Sequence, residues 1–381
     1  MIRYEQLEPR VLLSDFGELP SGLPSALRLR LEESLRVEDS RAGLVTIDGG
    51  NYFAGGVDTK AEMAAIVAKQ TAGTNTIVVV KSPPAKFGGA GPWNTPGASN
   101  TGPVAGTVLT ALYGGLGTTA NGQVIQDLAI TGSGANANHV IQVTNDDVTI
   151  QNCTIDGNGM LSGCDVYIAP GITGTRIIDC SMTGTGDGSY VISANHGCGD
   201  VTISNCHIFN TAGSVFFLDG NNIAVENNWL ERIGWQTLGT VNNGQVGDFH
   251  TDDVFIEAGS GYQFINNNFD TPSSVNIDGT NYSALRCFFI DPFNPSDVVG
   301  TVIIQNNDLD GGGSFMLQLM GQGTVTIANN QIALDSQYGI IYGNYVGDPI
   351  VWANNVLSPG DEPLSAPLIS GTSLIAEPLP K

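Results

Sequence analysis

The sequence predicts an all-β solenoid, a coil in which short parallel strands stack rung upon rung. A short phrase recurs nine times along the chain: an apolar strand, then Asn or Asp, then a second turn residue, then another apolar stretch. Successive copies are spaced by 25, 27, 26, 22, 39, 40, 23 and 25 residues. The segments alternate with period two, which excludes helical repeats. A repeat of this kind cannot bury its apolar face alone and must stack on its neighbours.

Each copy of the phrase turns at an Asn or Asp residue. Asn and Asp tolerate the left-handed backbone that a tight turn requires, so these residues are interpreted as shaping the coil rather than as carrying chemistry. The turn positions are Asp127, Asn152, Asp179, Asn205, Asn227, Asn266, Asn306, Asn329 and Asn354.

A second kind of strand precedes each phrase. These strands are DVYIA (165–169), SYVIS (189–193), VFFLD (215–219), DVFIE (253–257), CFFID (287–291), SFMLQ (314–318) and YGIIY (338–342). With the phrase they make a rung of strand, short turn, strand, Asn turn, short strand and loop. Over about residues 120–358 this resembles the single-stranded right-handed parallel β-helix of the pectate-lyase superfamily, with its asparagine ladder. The spacing indicates about nine to eleven rungs.

The chain divides into four segments. Residues 1–41 contain LEPRVLL, which matches the LEPR-x-LL motif of exported planctomycete-type bacterial proteins, and are predicted to be a targeting or linker segment outside the fold. Residues 42–120 are predicted to form the N-terminal cap and first rungs, with a capping helix at 58–70. Residues 121–358 form the coil, and residues 359–381 form a C-terminal tail. The motif implies a secreted or cell-surface bacterial protein.

Composition limits the partners. The 381 residues carry 37 acidic and 14 basic side chains, a formal charge of −23. Without a basic patch, nucleic acid is not an expected partner. Without an 18-residue apolar run, membrane insertion is not expected. No organic cofactor is predicted, and a monomer is the expected form.

The six cysteines show no metal-ligand spacing. Cys153, Cys180 and Cys206 share one repeat position, which predicts a buried stack of thiols acting as small hydrophobes. A disulfide between adjacent rungs stays open, because rungs lie about 4.8 Å apart.

Two rungs are longer than the others by about 15 residues each. The extra loops cover 231–250 and 270–284, and they flank the rung that contains HTDDVFIE (250–257). Insertions on one edge of a solenoid commonly build its binding face. The family resemblance implies a polysaccharide-binding groove on the same long strands.

The long strands align carboxylates and aromatic rings. Asp219, Glu257 and Asp291 share one position and are predicted to face outward, since unpaired carboxylates do not share a dry core. Spaced about 5 Å apart, they suggest a Ca²⁺ site or an acid with a raised pKa. The alternative is that they only solvate a turn. Two residues earlier lie the rings predicted to stack on sugars: Tyr167, Phe217, Phe255 and Phe289.

Basic residues are scarce in the coil, which directs attention to Arg232 and Arg286. Arg232 lies in the first long loop, and Arg286 directly precedes the third acidic strand. The resemblance implies an Arg base that removes the proton α to a uronate carboxylate, assisted by Ca²⁺. The alternative for each Arg is a simple ion pair with acidic neighbours. The first functional hypothesis is therefore an exported, Ca²⁺-assisted polysaccharide lyase.

Two other functions remain open. A glycoside hydrolase needs two carboxylates, which Asp252, Asp253 and Glu257 could supply with His250 tuning the acid. On this hypothesis Asp253 lies on the outer face beside Glu257. A non-catalytic adhesin or matrix module would use the acidic stripe for solvation only. His196 is interpreted as structural.

Overall fold

The protein is described here by a computed structural model. The described residues are 43–47, 50–54, 95–133, 138–160, 163–185, 190–236, 241–242, 245–246, 251–271, 275–277, 280–282, 286–292, 297–311, 315–321, 323–333, 339–345 and 350–358. The LEPR-x-LL motif, the predicted capping helix at 58–70, His250 and the tail at 359–381 lie outside these ranges.

One face of the coil consists of parallel strands that carry the predicted long strands. In order along the coil they are β4 (Leu116–Gly117), β7 (His139–Val143), β10 (Cys164–Ile168), β13 (Tyr190–Ser204), β15 (Ser214–Glu226), β20 (Asp252–Ser260), β25 (Arg286–Ile290), β28 (Phe315–Gly321) and β31 (Gly339–Tyr345). We call this the long-strand face.

The second face precedes the Asn turns. It contains β5 (Val124–Gln126), β8 (Thr149–Gln151), β11 (Arg176–Ile178), the distal parts of β13 and β15, β21 (Tyr262–Ile265), β26 (Val302–Gln305), β29 (Val325–Ala328) and β32 (Ile350–Ala353). Because β13 and β15 continue through the bend, the first two faces belong to one sheet.

The third face follows the Asn turns and is also parallel. It contains β3 (Thr110–Tyr113), β6 (Leu128–Thr131), β9 (Thr154–Met160), β12 (Ser181–Thr185), β14 (His207–Thr211), β16 (Trp229–Ile233), β22 (Asn268–Thr271), β27 (Asp308–Gly311), β30 (Gln331–Ile332) and β33 (Val356–Leu357).

The remaining strands pair antiparallel outside the coil. They are the hairpin of β1 (Gly43–Ile47) and β2 (Gly50–Ala54), the pair β18 (Val241–Asn242) and β19 (Gln245–Val246), and a small sheet of β17 (Trp235–Gln236), β24 (Thr280–Tyr282) and β23 (Val275–Ile277).

The described residues thus form an all-β fold of stacked parallel strands, consistent with the predicted parallel β-helix. Its interior is filled by the side chains that alternation assigned to it: Phe216, Leu218, Val254, Ile256, Phe288 and Ile290 are all 0% exposed. The described ranges contain only strands, turns and loops, so they include no helix that could cross a membrane.

The Asn turns behave as predicted. All nine turn residues adopt the left-handed conformation, with φ between 52° and 58°. Successive turns are linked by backbone hydrogen bonds, such as those from Asn227 N–H to Ile265 O and from Asn266 N–H to Gln305 O. The turn side chains therefore line up along one edge of the coil, and the rung alignment is confirmed.

The six cysteines are buried, and none of them forms a disulfide. Cys153, Cys180 and Cys206 lie directly after the turn residues and point into the coil. The predicted thiol stack is present, without a disulfide between its rungs.

Candidate functional site

A row of aromatic side chains crosses the outer side of the long-strand face. Strand register places Tyr167, Ser193, Phe217, Phe255 and Phe289 opposite one another on successive rungs. The ring centroids of Phe217 and Phe255 are 5.5 Å apart, and those of Phe255 and Phe289 are 5.1 Å apart. Alternation along each strand thus produces the predicted aromatic row.

The row is only partly accessible. Phe255 is 6% and Phe289 is 8% exposed, whereas Tyr167 and Phe217 are half-buried. A ring with so little exposed surface cannot offer its face to a sugar. The prediction of four stacking platforms is therefore corrected: in this structure Phe255 and Phe289 are covered, and Tyr167 and Phe217 carry the open part of the row.

Arg286 is one of the groups that cover the row. Its guanidinium carbon lies 4.3 Å from the centre of the Phe289 ring, and its Nη1 lies 2.9 Å from Asp252 Oδ1. Both side chains of this ion pair are almost fully buried. A guanidinium held against a carboxylate serves as a fixed positive charge and not as a proton acceptor. This contact disfavours the role of base that was predicted for Arg286.

Asp253 is not on the outer face. It is 0% exposed and lies in the same column of inward-pointing residues as Val215 and Cys287. The Oγ1–H of Thr271 donates to Asp253 Oδ2 over 2.7 Å. The strict period-two argument fails here because Asp253 and Val254 are both buried at the start of the strand. The predicted pairing of Asp253 with Glu257 on one surface is therefore wrong.

The three predicted metal ligands do not form one group. Register slips by one residue after Leu218, so that Asp219 lies opposite Ala258 and Glu257 is displaced from the column. Burial raises the pKa of Glu257 and of Asp291. The charge of Asp219 adds to the rise at Glu257, whereas the charge of Arg286 opposes the rise at Asp291. Among the described residues no group of three or more His, Cys, Asp or Glu side chains is placed to hold a metal ion. The residues present therefore do not fit the predicted Ca²⁺ site.

The pKa values of Asp219 and Glu257 are both raised. Burial, followed by the charges of Asp219 and Asp297, raises the pKa of the Glu257 carboxyl. Burial also raises the pKa of Asp219, although the neighbouring His196 lowers it. A carboxyl whose pKa moves toward neutrality can donate as well as accept a proton in a reaction.

His196 forms a pair with Asp219. Its Nδ1 lies 3.2 Å from Asp219 Oδ2, and its side chain is 82% exposed while that of Asp219 is 16% exposed. A carboxylate on one ring nitrogen orients the imidazole and leaves the other nitrogen facing solvent. The interpretation of His196 as purely structural missed this contact. The repeat alignment contained a signal for it, since His196 lies on the rung next to that of Asp219, in the strand that pairs with β15.

Arg232 lies on a different face. It follows Glu231 at the end of β16, where its Nε is 3.0 Å from Glu231 Oε1 and its backbone φ is 56°. His207 Nε2 lies 3.0 Å from the other oxygen of Glu231. Burial lowers the pKa of His207, opposed by Glu231. Arg232 and its partner Glu231 thus lie on the third face, away from Asp219 and Glu257.

The two insertions meet outside the coil. Strand β17 from the first insertion pairs antiparallel with β24 from the second, at Trp235 opposite Tyr282 and Gln236 opposite Asn281. Both insertions enter the long-strand face, at β20 and β25 respectively. The predicted placement of both loops on a shared edge is therefore supported by their backbone pairing.

Comparisons with known proteins identify no family for this chain. Searches against protein-family models and against curated proteins find no match. Among solved structures, the chain is similar to the crystal structure of an alginate lyase from Paenibacillus sp. str. FPU-7, with a TM-score of 0.42 and 17% identity, over 66% of this chain and 87% of that chain. A similarity this low carries no argument, and the fold rests on the strand pairing described above.

Proposed function

We propose that this chain is an exported, polysaccharide-cleaving β-helix protein whose reaction centre is His196, Asp219 and Glu257. The observation that carries the proposal is the pair of His196 and Asp219, whose ring is exposed beside the open end of the aromatic row. Tyr167 and Phe217 supply apolar surface for a sugar ring. The long, straight face of stacked strands suits an extended polymer better than a small ligand.

The favoured reaction is β-elimination from a uronate-containing polysaccharide. His196 would accept the proton from the carbon α to the uronate carboxylate, with Asp219 orienting the ring and stabilising its positive charge. The bond between the β-carbon and the glycosidic oxygen then breaks. Glu257, whose raised pKa favours its protonated form, would supply the proton to the departing oxygen. In this proposal Arg286 is a fixed positive charge near the aromatic row and not the base.

Hydrolysis is the second candidate, and one observation favours it. Burial raises the pKa of both Asp219 and Glu257, and the charge of Asp219 raises that of Glu257 further. Two neighbouring carboxyls that differ in protonation are the requirement for glycoside hydrolysis. An acidic surface also accepts a neutral glycan more readily than an anionic one.

A panel of neutral and uronate polysaccharides tests the proposal. Ultraviolet absorbance detects the unsaturated ends of β-elimination, and a separate assay detects reducing ends. New absorbance with uronate polymers supports the lyase, whereas reducing ends without absorbance favour the hydrolase. Silence in both assays contradicts cleavage and favours a non-catalytic adhesin or matrix module.

A matched pair of variants identifies the base. His196→Ala should lower activity by about 10²- to 10⁴-fold, the usual contribution of a general base. His207→Ala removes an equivalent histidine that also pairs with a carboxylate, but on the third face. It should leave activity unchanged. Equal activity of both variants would reject His196 as the base, and a melting temperature for each excludes unfolding as the cause.

A further inference from the structure

Asp165 is a buried carboxylate without a partner. It lies in β10, it is 0% exposed, and neither Oδ1 nor Oδ2 has a hydrogen-bond partner. A carboxylate inside a protein requires a hydrogen-bond donor, a cation or a proton, since an isolated charge there is very costly. Asp165 is not explained by the groove, because Tyr167 on the same strand faces the opposite way.

A second buried aspartate, Asp253, shows which kind of partner Asp165 lacks. Asp253 occupies the same position of the long strand as Asp165, one residue before the inward-facing Val254 and Val166 respectively. Asp253 Oδ2 accepts a hydrogen bond from Thr271 Oγ1–H, while its Oδ1 has no hydrogen-bond partner among the described residues. The rung of Asp165 offers no such donor among the described residues, although the backbone geometry is the same.

The residues near Asp165 supply further oxygen atoms instead of hydrogen-bond donors. A Cβ atom on Gly157 would lie 2.6 Å from Asp165 Oδ1 and 3.1 Å from the carbonyl oxygen of Gly184. Burial raises the pKa of Asp165, and the charge of Asp156 raises it further. Asp156 Oδ1 accepts a hydrogen bond from Asn158 N–H over 2.7 Å, and it lies against Gly184 so closely that no side chain could fit there. An Asp165 oxygen, an Asp156 oxygen and the Gly184 carbonyl oxygen thus lie around the same two glycines, Gly157 and Gly184.

We propose that Asp165 and Asp156 bind a divalent cation, Ca²⁺, between β9, β10 and β12. The Gly184 carbonyl supplies a neutral ligand, and water completes the shell. The ligand atoms are all oxygens, which suits Ca²⁺ and not Zn²⁺ or Cu²⁺. Two negative charges balance one divalent cation. The sequence Asp156-Gly157-Asn158 has the composition of calcium-binding loops, although it is not a complete EF-hand loop.

The acidic pair alone would not support this proposal. The independent observation is the full burial of Asp165, whose two oxygens have no hydrogen-bond partner among the described residues and whose Oδ1 lies against Gly157. The site contains two carboxylates and a carbonyl oxygen, and among the described residues no group of three or more His, Cys, Asp or Glu side chains is placed to hold a metal ion. It is also separate from Asp219 and Glu257, and it does not depend on the proposed cleavage activity.

Melting temperature measured against added Ca²⁺ tests the site on the full chain after chelator treatment. Ca²⁺ that binds only the folded state should raise the melting temperature by about 5 °C once the site is saturated. Above that concentration the melting temperature should keep rising with the logarithm of the Ca²⁺ concentration. Mg²⁺ at equal concentration should raise it less, because it demands a smaller, octahedral shell. No change with Ca²⁺ overturns the proposal.

Four variants locate the effect. Asp165→Asn and Asp156→Asn should each abolish the calcium-dependent rise, whereas Asp253→Asn and Asp219→Asn should keep it. Asp253→Asn is the matched control, since it changes the same buried position on another rung. If Asp165→Asn fails to fold, Asp156→Asn decides, because Asp156 is partly exposed. Retention of the rise in Asp156→Asn, or its loss in Asp219→Asn, overturns the assignment. A stable Asp165→Asn protein in a chain indifferent to Ca²⁺ would identify Asp165 as a neutral, protonated acid.

Discussion

The first and second halves of the coil fill the same inner position with different chemistry. The position directly after each Asn turn is occupied by Cys153, Cys180 and Cys206 in the first half, and by Asn228, Asn267, Asn307, Asn330 and Asn355 in the second. All eight side chains are at most 1% exposed. In the first half the thiols approach carbonyl oxygens only weakly, as Cys180 Sγ does with Ile150 O at 3.7 Å.

In the second half the side chains form a continuous hydrogen-bonded ladder. Asn267 Oδ1 accepts bonds from Asn228 N–H and Nδ2–H, both over 3.0 Å. Asn267 Nδ2 donates to Val225 O over 2.8 Å and to Asn307 Oδ1 over 3.0 Å. Each amide therefore binds the rungs on both sides, which a thiol cannot do.

The position where the ladder starts has a physical reason. Asn228, Asn267 and Asn307 are spaced by 39 and 40 residues, so the first two links of the ladder span the two long insertions. Closing a longer loop costs more chain entropy, although the cost grows slowly with length. Directional hydrogen bonds fix the register between rungs that the chain connects loosely. In the short first-half rungs the turn column contributes only thiol–carbonyl contacts to the register, beside the backbone pairing and packing.

The largest expected effect comes from removing one amide of the ladder. Asn267→Ala removes the acceptor of the buried Asn228 N–H and the bonds that Asn267 Nδ2 donates to Val225 O and Asn307 Oδ1. A buried polar group left without a partner costs about 1–3 kcal/mol. The free energy of unfolding should therefore fall by about 3 kcal/mol or more. It is measured by denaturant titration of the folded chain.

Cys180→Ala is the matched change in the first half. It removes a small apolar group, which should cost about 1 kcal/mol. The comparison fails if the two variants lose equal stability, because the Asn ladder would then contribute no more than packing.

A smaller effect is expected from the buried Asp253 of the second half. Burial raises the pKa of this carboxyl well above its ordinary value, and the charge of Asp252 adds to the rise, while Thr271 and Cys287 oppose it. The folded state thus keeps a proton that the unfolded state releases above a pH of about 3.9. Stability should fall as pH rises from there to the raised pKa, by up to about 1.4 kcal/mol per pH unit.

Asp253→Asn tests this pH dependence, because its amide does not titrate. Unfolding free energies at pH 5 and pH 8 should differ less in the variant than in the unchanged chain. The neighbouring ion pair of Asp252 and Arg286 is present in both proteins and cancels in the comparison. An identical pH dependence in the two would show that Asp253 is ionised in the folded state.

Much of the fold was predictable because every rung repeats the same local rules. Each Asn turn needs the left-handed conformation, and period-two alternation assigns Phe216 and Val254 to the interior. The hydrogen-bonded ladder was not predicted, although its residues were aligned. Amides and thiols share that column, and only the structure shows that Asn267 bonds to Asn228 and Asn307.

The site was less predictable because alternation breaks at both ends of the long strands. At the start, consecutive residues Asp253 and Val254 both turn inward. At the end, a one-residue bulge separates Asp219 from Glu257. Contacts between rungs, such as that of His196 with Asp219, depend on where a strand bends, and no local sequence rule fixes that bend. Roles for Arg232 and His250 stay predictions.

The smallest effect is expected where the two halves meet. Cys206 N–H already donates to Asn228 Oδ1 over 2.9 Å, as the backbone of each ladder residue does to the next amide. In Cys206→Asn the new Nδ2 could reach Ile177 O and Asn228 Oδ1, so stability should change by less than about 1 kcal/mol. Cys180→Asn should cost more, because the next rung then presents a thiol instead of an amide oxygen. Adding Cys206→Asn to Cys180→Asn should recover part of that loss, and a double-mutant cycle measures the coupling. Additive effects would mean that the ladder does not extend from rung to rung, and that the boundary at Asn228 has another cause.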